Sequence, residues 1–572
     1  MKLKTSFFNG KVFLKNLTRF APVWVLYAIA EVLGLLSMNT GKEAFWIADD
    51  LGQVIGPVCV FHAVYALLVA ACLFGDLFDS RLCNGLHAMP MRREGWLLTN
   101  LLSGFVFALI PAIVGGAVGA VILRDYWQFA IVWQLASLMQ FVFCFGVAVF
   151  SAMCAGKRLG MIAVYAIFQF LSVLVYFVVT LIYEPLLPGV VISDDWFVLF
   201  CPLVSIFEDN YYEINITSSE VVHQVVFEGY VLKDWYYLFA CVGVGVLFTV
   251  FAWLLYRKRP LEKAGDFIAF RPMGALFLLA YTLGAGILVY SFAELFFGTY
   301  KDYGFLVAGL LIGWFTGWML LERTVKVFKK KVWIGFAAFA LLFAGSIGLT
   351  VMDPMGIAAY IPETEKIETA SIYLQHDIFA YTHAVKERDD GWFLRDAEGI
   401  ARVQQLHSRM LQAGTDSSGE TIKVHVRYEM EKGFSVNREY NIPAESQVAE
   451  ELRPFFSDLR SVLAVQDWNQ FRDDVDFVNV YFYSFEEVKD VTLTDLAQIQ
   501  ELLKAIEADA QAGNLAQHSY FHRYQEQVAA IDLSWNAVYK QTDNGEISKP
   551  GSRHVAIHGD CVNTVAFLET LK

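Results

Sequence analysis

Three residues of the Asp, Glu and His types stand inside otherwise apolar stretches of this 572-residue chain, Glu31, His62 and Glu294, and the first two are its first candidates for chemistry. Glu31 lies in a stretch at about 20–38, and His62 lies in the next one, at about 52–75. Such groups are costly within hydrocarbon, so they usually face a neighbouring helix or a polar path. We predict that Glu31 and His62 line a substrate path; the alternative for Glu31 is a carboxyl group satisfied by a neighbouring helix.

A second candidate site is the loop after the second apolar stretch, from Leu77 to Leu98. Leu82, Leu86 and Met89 fall on one face of a short helix, which Pro90 would end. The flanking basic residues are Arg81, Arg92 and Arg93. Such a helix can dock into the groove of a partner protein or rest among lipid headgroups, and spacing alone leaves both open.

Familiar catalytic motifs are absent from the sequence. It contains no G-x-x-x-x-G-K-[ST], no H-E-x-x-H and no G-x-S-x-G. Histidine pairs at four-residue spacing occur at His518/His522 and His554/His558, but zinc would need two further ligands, and the tail offers only Cys561. We therefore expect no metal, no cofactor and no enzymatic activity in this chain.

The composition indicates a membrane protein. Hydrophobic residues make up 56% of the chain and charged residues 18%, against roughly 25% charged in an ordinary soluble protein. A span needs about 20 apolar residues to cross the hydrocarbon layer. Nine stretches qualify, at about 20–38, 52–75, 97–122, 128–153, 160–182, 236–256, 273–297, 303–321 and 333–352.

The loops between these stretches differ in charge. Those on the N-terminal side hold 20 Lys and Arg residues up to residue 356, and those on the opposite side hold 4. Because short cytoplasmic loops collect basic residues, we predict a multi-pass protein of the plasma membrane with a cytoplasmic N-terminus. Nine spans then place the C-terminal region outside the cytoplasm.

Residues 357–572 are predicted to form an extracytoplasmic α+β domain. They hold 20 basic and 35 acidic residues, which excludes nucleic acid as a partner. Alternating apolar residues predict strands at Ile422–Met430, at Phe434–Tyr440 after a turn at Gly433, and at Phe477–Phe485. Helical spacing predicts helices at about 400–410, at 455–463 with Pro454 in the first turn, and at 496–506 after a cap at Thr494.

The run Leu86-His87-Ala88-Met89-Pro90-Met91-Arg92-Arg93-Glu94, preceded by Arg81, resembles the coupling segment of permease subunits in ABC-2 type ATP-binding-cassette transporters. The loop Tyr256 to Gly265 and the opening Thr5 to Trp24 are also similar to a Gram-positive, bacterial branch of these permeases. The resemblance covers residues 1 to about 265, and the chain departs from the family plan after Arg271.

The resemblance implies three regions: a six-span permease core at 1–271, three additional transmembrane helices at 272–356, and the external domain at 357–572. It implies a re-entrant piece at Trp196 to Phe207, a separate cytoplasmic ABC ATPase, and a second permease copy or a paralogous permease in the surrounding lipid. The expected ATPase-coupling residues are Arg81, Leu82, Leu86, Met89, Pro90, Arg92 and Arg93. The cargo implied is an amphipathic or hydrophobic compound, such as a peptide antibiotic or a lipid-like molecule, exported from the cell.

Two other functions stay open at this stage. The membrane half can anchor an acidic external domain that binds a ligand and signals through the spans. A polytopic membrane enzyme is the third hypothesis, although carboxylate pairs such as Asp389/Asp390 and Asp473/Asp474 are typical of solvated surface charge.

Overall fold

The computed structural model describes residues 8–37, 54–87, 92–123, 127–193, 195–208, 212–219, 224–232, 235–298, 303–374, 394–413, 421–431, 435–443, 446–463, 468–483, 489–515, 527–542 and 545–571. The chain folds into two compact units. The helical unit comprises Met1–Leu181, Asp194–Thr217 and Val226–Ser346. The tail unit comprises Ile182–Ser193, Ser218–Val225 and Ile347–Lys572. The tail unit therefore includes a short segment that sequence reasoning assigned to a loop between spans.

The helical unit begins with a bent pair of helices. The amphipathic α1 (Gly10–Arg19) is capped by Asn9, whose Oδ1 accepts hydrogen bonds from the backbone N–H groups of Lys11 and Val12. The apolar α2 (Ala21–Ser37) has 17 residues and follows α1 at an angle of 60°. The first predicted span is thus a helix with a sharp bend directly before it.

The second predicted span is shorter than the sequence indicated. Helix α3 (Val58–Leu73) has 16 residues, which corresponds to about 24 Å at the helical rise. A turn at Gly56 and Pro57 precedes it, because proline lacks an N–H and disfavours helical backbone at the residue before it. The start of the predicted stretch, 52–53, lies outside the described residues.

The structure describes ten further helices in this part of the chain. They are α4 (Ser80–His87), α5 (Arg93–Leu123), α6 (Trp127–Cys154), α7 (Arg158–Val178), α8 (Asp195–Phe200), α9 (Pro202–Glu208), α10 (Trp235–Lys258), α11 (Arg271–Phe297), α12 (Tyr303–Glu322) and α13 (Lys330–Met352). Among the described residues, seven helices are long and apolar enough to cross a bilayer, or eight if α1 and α2 form one bent span. The predicted polytopic helical fold is confirmed.

Helix α6 is the centre of the helical unit. It packs against α3, α5, α7 and α10, and most of its side chains are buried. A Cβ at Gly146 would lie 2.1 Å from the carbonyl oxygen of Gly245, so glycine allows α6 and α10 to touch through their backbones. Small residues commonly serve this purpose where membrane helices meet.

The run predicted to be re-entrant forms the two short helices α8 and α9. Cys201, between them, is buried and its Sγ donates to the carbonyl oxygen of Gln169 at 3.2 Å. The hydroxyl of Tyr237 donates to the carbonyl oxygen of Leu199 at 2.9 Å. The pair therefore packs into the helical unit.

The tail unit contains two four-stranded antiparallel sheets. Sheet one has the order β1-β6-β5-β4 and consists of β1 (Val190–Val191), β4 (Ile367–Leu374), β5 (Thr421–Met430) and β6 (Ser435–Pro443). Sheet two has the order β10-β9-β7-β8 and consists of β7 (Phe477–Phe482), β8 (Lys489–Leu493), β9 (Gln527–Thr542) and β10 (Gly545–His558). A separate hairpin pairs β2 (Tyr212–Ser219) with β3 (Gln224–Leu232).

The alternating strand pattern is confirmed in sheet one. Ile422, Val424, Val426 and Tyr428 are buried on one face of β5, in the same core as apolar residues of α14 (Ala397–Ala413). Strand β7 and helix α14 also lie where the sequence predicted them. The predicted turn at Gly433 lies outside the described residues.

Two predicted helix starts in the tail are wrong. One is the helix predicted at 455–463. The structure has α15 (Gln447–Phe456) there, so Pro454 lies near the end of a helix and not in its first turn. The chain turns into α15 where Ser446 Oγ accepts the N–H of Ala449 at 3.3 Å. Helix α18 (Leu496–Gln511) is capped by Asp495 and not by Thr494. The other helices among the described residues of the tail are α16 (Leu459–Leu463), α17 (Trp468–Asp474) and α19 (Val562–Glu569).

Candidate functional site

Helix α4 occupies the predicted coupling segment. A single 3-10 turn, Gly75–Phe78, leads into it, and α5 begins at Arg93. Asp79 caps α4, because its Oδ1 accepts the backbone N–H groups of Arg81 at 2.8 Å and Leu82 at 3.2 Å. Met89 and Pro90 lie outside the described residues.

The two sides of α4 differ in burial. Cys83 is fully buried in the helical unit, whereas Leu82 is 55% exposed and Arg81 is exposed as well. Arg92 and Arg93, at the start of α5, are also exposed. The fold of this chain therefore leaves Leu82 and Arg81 accessible on α4, and two further basic side chains accessible at the start of α5. For Leu86 the backbone alone is described.

A buried arginine ties this segment to a second loop. Arg259, directly after α10, is 3% exposed. It donates four hydrogen bonds to carbonyl oxygens, those of Ala152 (2.7 Å), Met153 (3.1 Å), Ala155 (2.7 Å) and Leu77 (3.2 Å). Burial lowers the pKa of Arg259, and this ring of oxygens compensates for the lost hydration. We call this arrangement the Arg259 clamp.

The clamp completes the end of α6. The last four carbonyls of a helix have no partner within it and carry its negative dipole end. Here Ser151 O accepts the N–H of Ala155 at 3.1 Å, and Cys154 O accepts the N–H of Ala269 at 2.8 Å. Arg259 satisfies the two carbonyls between them. Its bond to Leu77 then attaches the turn that leads into α4.

Two glycines let the loops meet at backbone distance. A Cβ at Gly156 would lie 2.2 Å from the carbonyl oxygen of Lys263, and one at Gly160 would lie 1.9 Å from that of Phe267. The N–H of Gly265 donates to the carbonyl oxygen of Gly156 at 2.8 Å. The loop after α10 is thus packed against the start of α7 as well as the end of α6.

The structure brings Glu31 and His62 together. Both are buried, and His62 Nε2 lies 3.2 Å from Glu31 Oε1. On its other side, His62 Nδ1 lies 2.7 Å from Gln140 Oε1. Since the amide nitrogen of Gln140 donates to Ile55 O at 3.0 Å, its Oε1 is the acceptor and His62 Nδ1 carries a hydrogen. Glu31 also accepts from Trp133 Nε1 at 2.7 Å and from Gln134 Nε2 at 3.2 Å.

This buried polar cluster holds one proton between Glu31 and His62. With Nδ1 donating to Gln140, the contact at Nε2 needs a hydrogen, either on the imidazole or on the carboxyl group. Without it, a lone pair of His62 would face a carboxylate in an apolar surrounding, which is costly. The cluster joins α2, α3 and α6.

Sequence reasoning found two members of the cluster and missed three. Trp133, Gln134 and Gln140 all lie on α6. The available signal was the occurrence of two uncharged amides, six residues apart, within an apolar stretch. A search restricted to titratable groups passes over them.

The histidines at four-residue spacing belong to no metal-binding group among the described residues. No group of three or more His, Cys, Asp or Glu side chains there is arranged to hold a metal ion. His554 lies on β10 with its Nδ1 2.8 Å from Asp532 Oδ1. The pair His518/His522 lies outside the described residues.

Comparisons with protein-family models, with curated proteins and with solved structures find no match to this chain. The chain is a multi-span helical membrane protein. Its described residues form seven to eight long apolar helices and a C-terminal region with two antiparallel sheets.

The tail unit holds a buried histidine in its core. His407 on α14 is fully buried, with Nδ1 3.0 Å from the hydroxyl oxygen of Tyr428 and Nε2 2.8 Å from that of Tyr440. Burial, with the nearby charge of Arg438, lowers the pKa of His407 to about 4. Burial also raises the pKa of Tyr440 to about 12. His407 is therefore a neutral member of this triad at physiological pH.

We expect acid to weaken the tail unit through His407. Its pKa is 6.5 in an ordinary environment and about 4 in the fold, so between these values the unfolded state binds a proton that the folded state does not. The resulting loss of unfolding free energy is small above pH 6.5 and reaches about 3 kcal/mol near pH 4.

Hydrogen exchange of β5 and β6 in the full-length protein, at pH 7.5 and pH 5, checks this expectation. Protection in the wild type should fall at the lower pH, and His407→Gln should reduce the difference. His554→Gln, which changes an exposed histidine, is the matched control. An equal pH response in wild type and His407→Gln would show that His407 is not responsible.

Proposed function

We propose that this chain is the permease subunit of an ABC-2 type transporter. It moves an amphipathic or hydrophobic compound, such as a peptide antibiotic or a lipid-like molecule, outward across the plasma membrane. ATP is hydrolysed by a separate cytoplasmic subunit, and this chain is not itself an enzyme. The observation that carries the proposal is helix α4, a capped helix with Leu82 and Arg81 exposed, attached through Arg259 to the central helix α6.

The Arg259 clamp supports a coupling role because it connects α4 to the helices of the bundle, so that a displacement of α4 is transmitted to them. The turn before α4 is bonded to Arg259 through Leu77 O, and the same guanidinium holds the end of α6. Movement of α4 by an ATPase would therefore shift α6 and the start of α7 together. Exposed Arg92 and Arg93 add positive charge for an acidic groove.

The proposed orientation follows the basic loops, with the N-terminus, α4 and the Arg259 clamp in the cytoplasm and the tail unit outside. A second copy of the chain or a paralogous permease completes the pathway. The buried polar cluster around Glu31 is the proposed polar element along that path, since it is the ionisable group within the first two apolar stretches.

The second candidate, a ligand-binding protein that signals through its tail unit, has one favourable observation. Arg438 on β6 donates to the carbonyl oxygens of Ile357 (2.9 Å) and Tyr360 (3.2 Å), in the segment that follows α13. Asp353 accepts the N–H groups of Ile357 and Ala358 in that segment. A ligand on sheet one would thereby act on the residues that leave the last long helix.

Purification from native membranes in a mild detergent, followed by mass spectrometry, tests the first proposal. A P-loop ATPase should accompany the wild type and be depleted at least tenfold with Arg81→Glu/Leu82→Asp, because these changes place two negative charges on the proposed contact. The control Val325→Asp/Lys326→Glu makes the same change on another exposed loop and should retain the ATPase. If wild type carries no ATPase, the signalling protein becomes the better account.

A further inference from the structure

A cavity of about 770 Å³ opens beside α4 in the helical unit. The junction of α1 and α2, the end of α3, the turn before α4 and the start of α7 all contribute to its wall, and so does Leu82 of α4, which is also part of the proposed ATPase contact. Its apolar lining includes Phe20, Leu68, Ala71 and Phe78. None of these residues belongs to the buried polar cluster around Glu31 or to the Arg259 clamp.

The polar part of the lining carries a positive excess. Three cationic side chains face two carboxylates: Arg19, Lys157 and Arg158 against Asp76 and Asp79. The guanidinium of Arg158 lies over Gly75, where an added Cβ would stand 3.5 Å from Nη2. That of Arg19 lies 5.0 Å from the centroid of the Phe20 ring. The cations are thus held against the wall, with one formal positive charge more than the carboxylates neutralise.

The cavity is continuous with apolar surface. Leu68 of α3 is 49% exposed and Leu159 of α7 is 69% exposed, and both line the cavity. Both helices lie among the apolar helices of a multi-span membrane protein. An occupant that combines one negative charge with hydrocarbon chains matches both the positive lining and the apolar edge. A soluble anion would make no contact with Leu68 and Leu159.

We propose that this cavity binds the phosphodiester headgroup of one anionic phospholipid. The phosphate lies between the guanidinium groups of Arg19 and Arg158, which favour phosphate oxygens. Headgroup hydroxyls donate to Asp76, and the acyl chains follow Leu68 and Leu159. Asp79 also lines the cavity and caps α4, so a bound headgroup stabilises the start of that helix.

Native mass spectrometry of the delipidated full-length protein tests the site. Phosphatidylglycerol and phosphatidylcholine are added at equal concentration, and inorganic phosphate is the soluble competitor. We expect wild type to prefer phosphatidylglycerol, and Arg158→Gln to weaken its binding about fivefold, as expected for loss of a charge-assisted contact that is partly exposed. Arg271→Gln is the matched control, since Arg271 also begins a long helix, is exposed and lies outside the cavity.

Each outcome decides the proposal. Equal binding of the two lipids, or equal affinity of Arg158→Gln and Arg271→Gln, overturns it. Displacement of phosphatidylglycerol by inorganic phosphate assigns the site to a free anion and overturns the lipid assignment. Should Arg158→Gln not fold, Ala71→Phe fills the cavity without a change of charge and should abolish the preference. A rise in hydrogen-exchange protection of α4 with phosphatidylglycerol would support the link to Asp79, and it is measured without any ATPase.

Discussion

Arg259→Met is expected to loosen α4 and the end of α6 together. The substitution removes a buried cation and leaves the carbonyls of Ala152, Met153, Ala155 and Leu77 without their donor. Each unsatisfied buried carbonyl costs about 1–3 kcal/mol, so we expect a loss of several kcal/mol at this end of the helical unit. Hydrogen exchange of residues 80–87 in α4 and 150–156 at the end of α6, in the full-length protein, measures it.

Lys263→Met is the control for this substitution. It lies in the same loop, and its half-exposed ammonium pairs with Asp266 at 3.0 Å on the surface, a contact worth about 0–1 kcal/mol. Protection should therefore fall strongly with Arg259→Met and little with Lys263→Met. A similar small loss in both variants would mean that the clamp does not hold α4 to α6.

Glu31→Leu is expected to destabilise the helical unit, and Glu31→Gln is expected to be tolerated. Leucine leaves the indole N–H of Trp133, the amide of Gln134 and His62 without their shared acceptor, a change that costs roughly 3–5 kcal/mol when a buried partner is removed. Glutamine keeps an oxygen for Trp133 and offers an N–H to His62 Nε2. We expect a cost of about 1 kcal/mol or less for it.

Thermal denaturation in a mild detergent, followed by size-exclusion chromatography, compares the two Glu31 variants. Glutamine should leave the folded fraction close to that of wild type, whereas leucine should shift the midpoint well below it. The reverse order, or equal shifts, would contradict the assignment of hydrogen-bond roles in the cluster.

Helices and strands with a regular pattern of apolar residues could be predicted from the sequence. The long helices follow from unbroken apolar runs, and β5 follows from the alternation of Ile422, Val424, Val426 and Tyr428 with polar residues. These features depend on local composition and on the side-chain period, which the sequence displays directly. The exceptions are boundaries such as α15 and α18, where one hydrogen bond decides between neighbouring residues.

Features that depend on contacts between residues far apart in the sequence could not be predicted from it. Arg259 counted as one basic residue among several in its loop, and only the fold shows that it is buried against α6. Strand β1 has two residues, too few for a pattern, yet Val190 and Val191 pair with β6 of the tail unit. Glu31 and His62 stood out as ionisable residues within apolar stretches, but only the tertiary fold shows that they meet and that Gln140 joins them.

Site-specific cross-linking from α4 tests the central claim, that this helix contacts an ATPase. A photoreactive phenylalanine analogue is placed at Leu82 in native membranes, and at Val325 as an exposed apolar control in a different segment. We predict that position 82 forms a cross-link to a P-loop ATPase and that position 325 does not. An absence of any ATPase adduct at position 82, while the protein is present and folded in the membrane, would contradict the account.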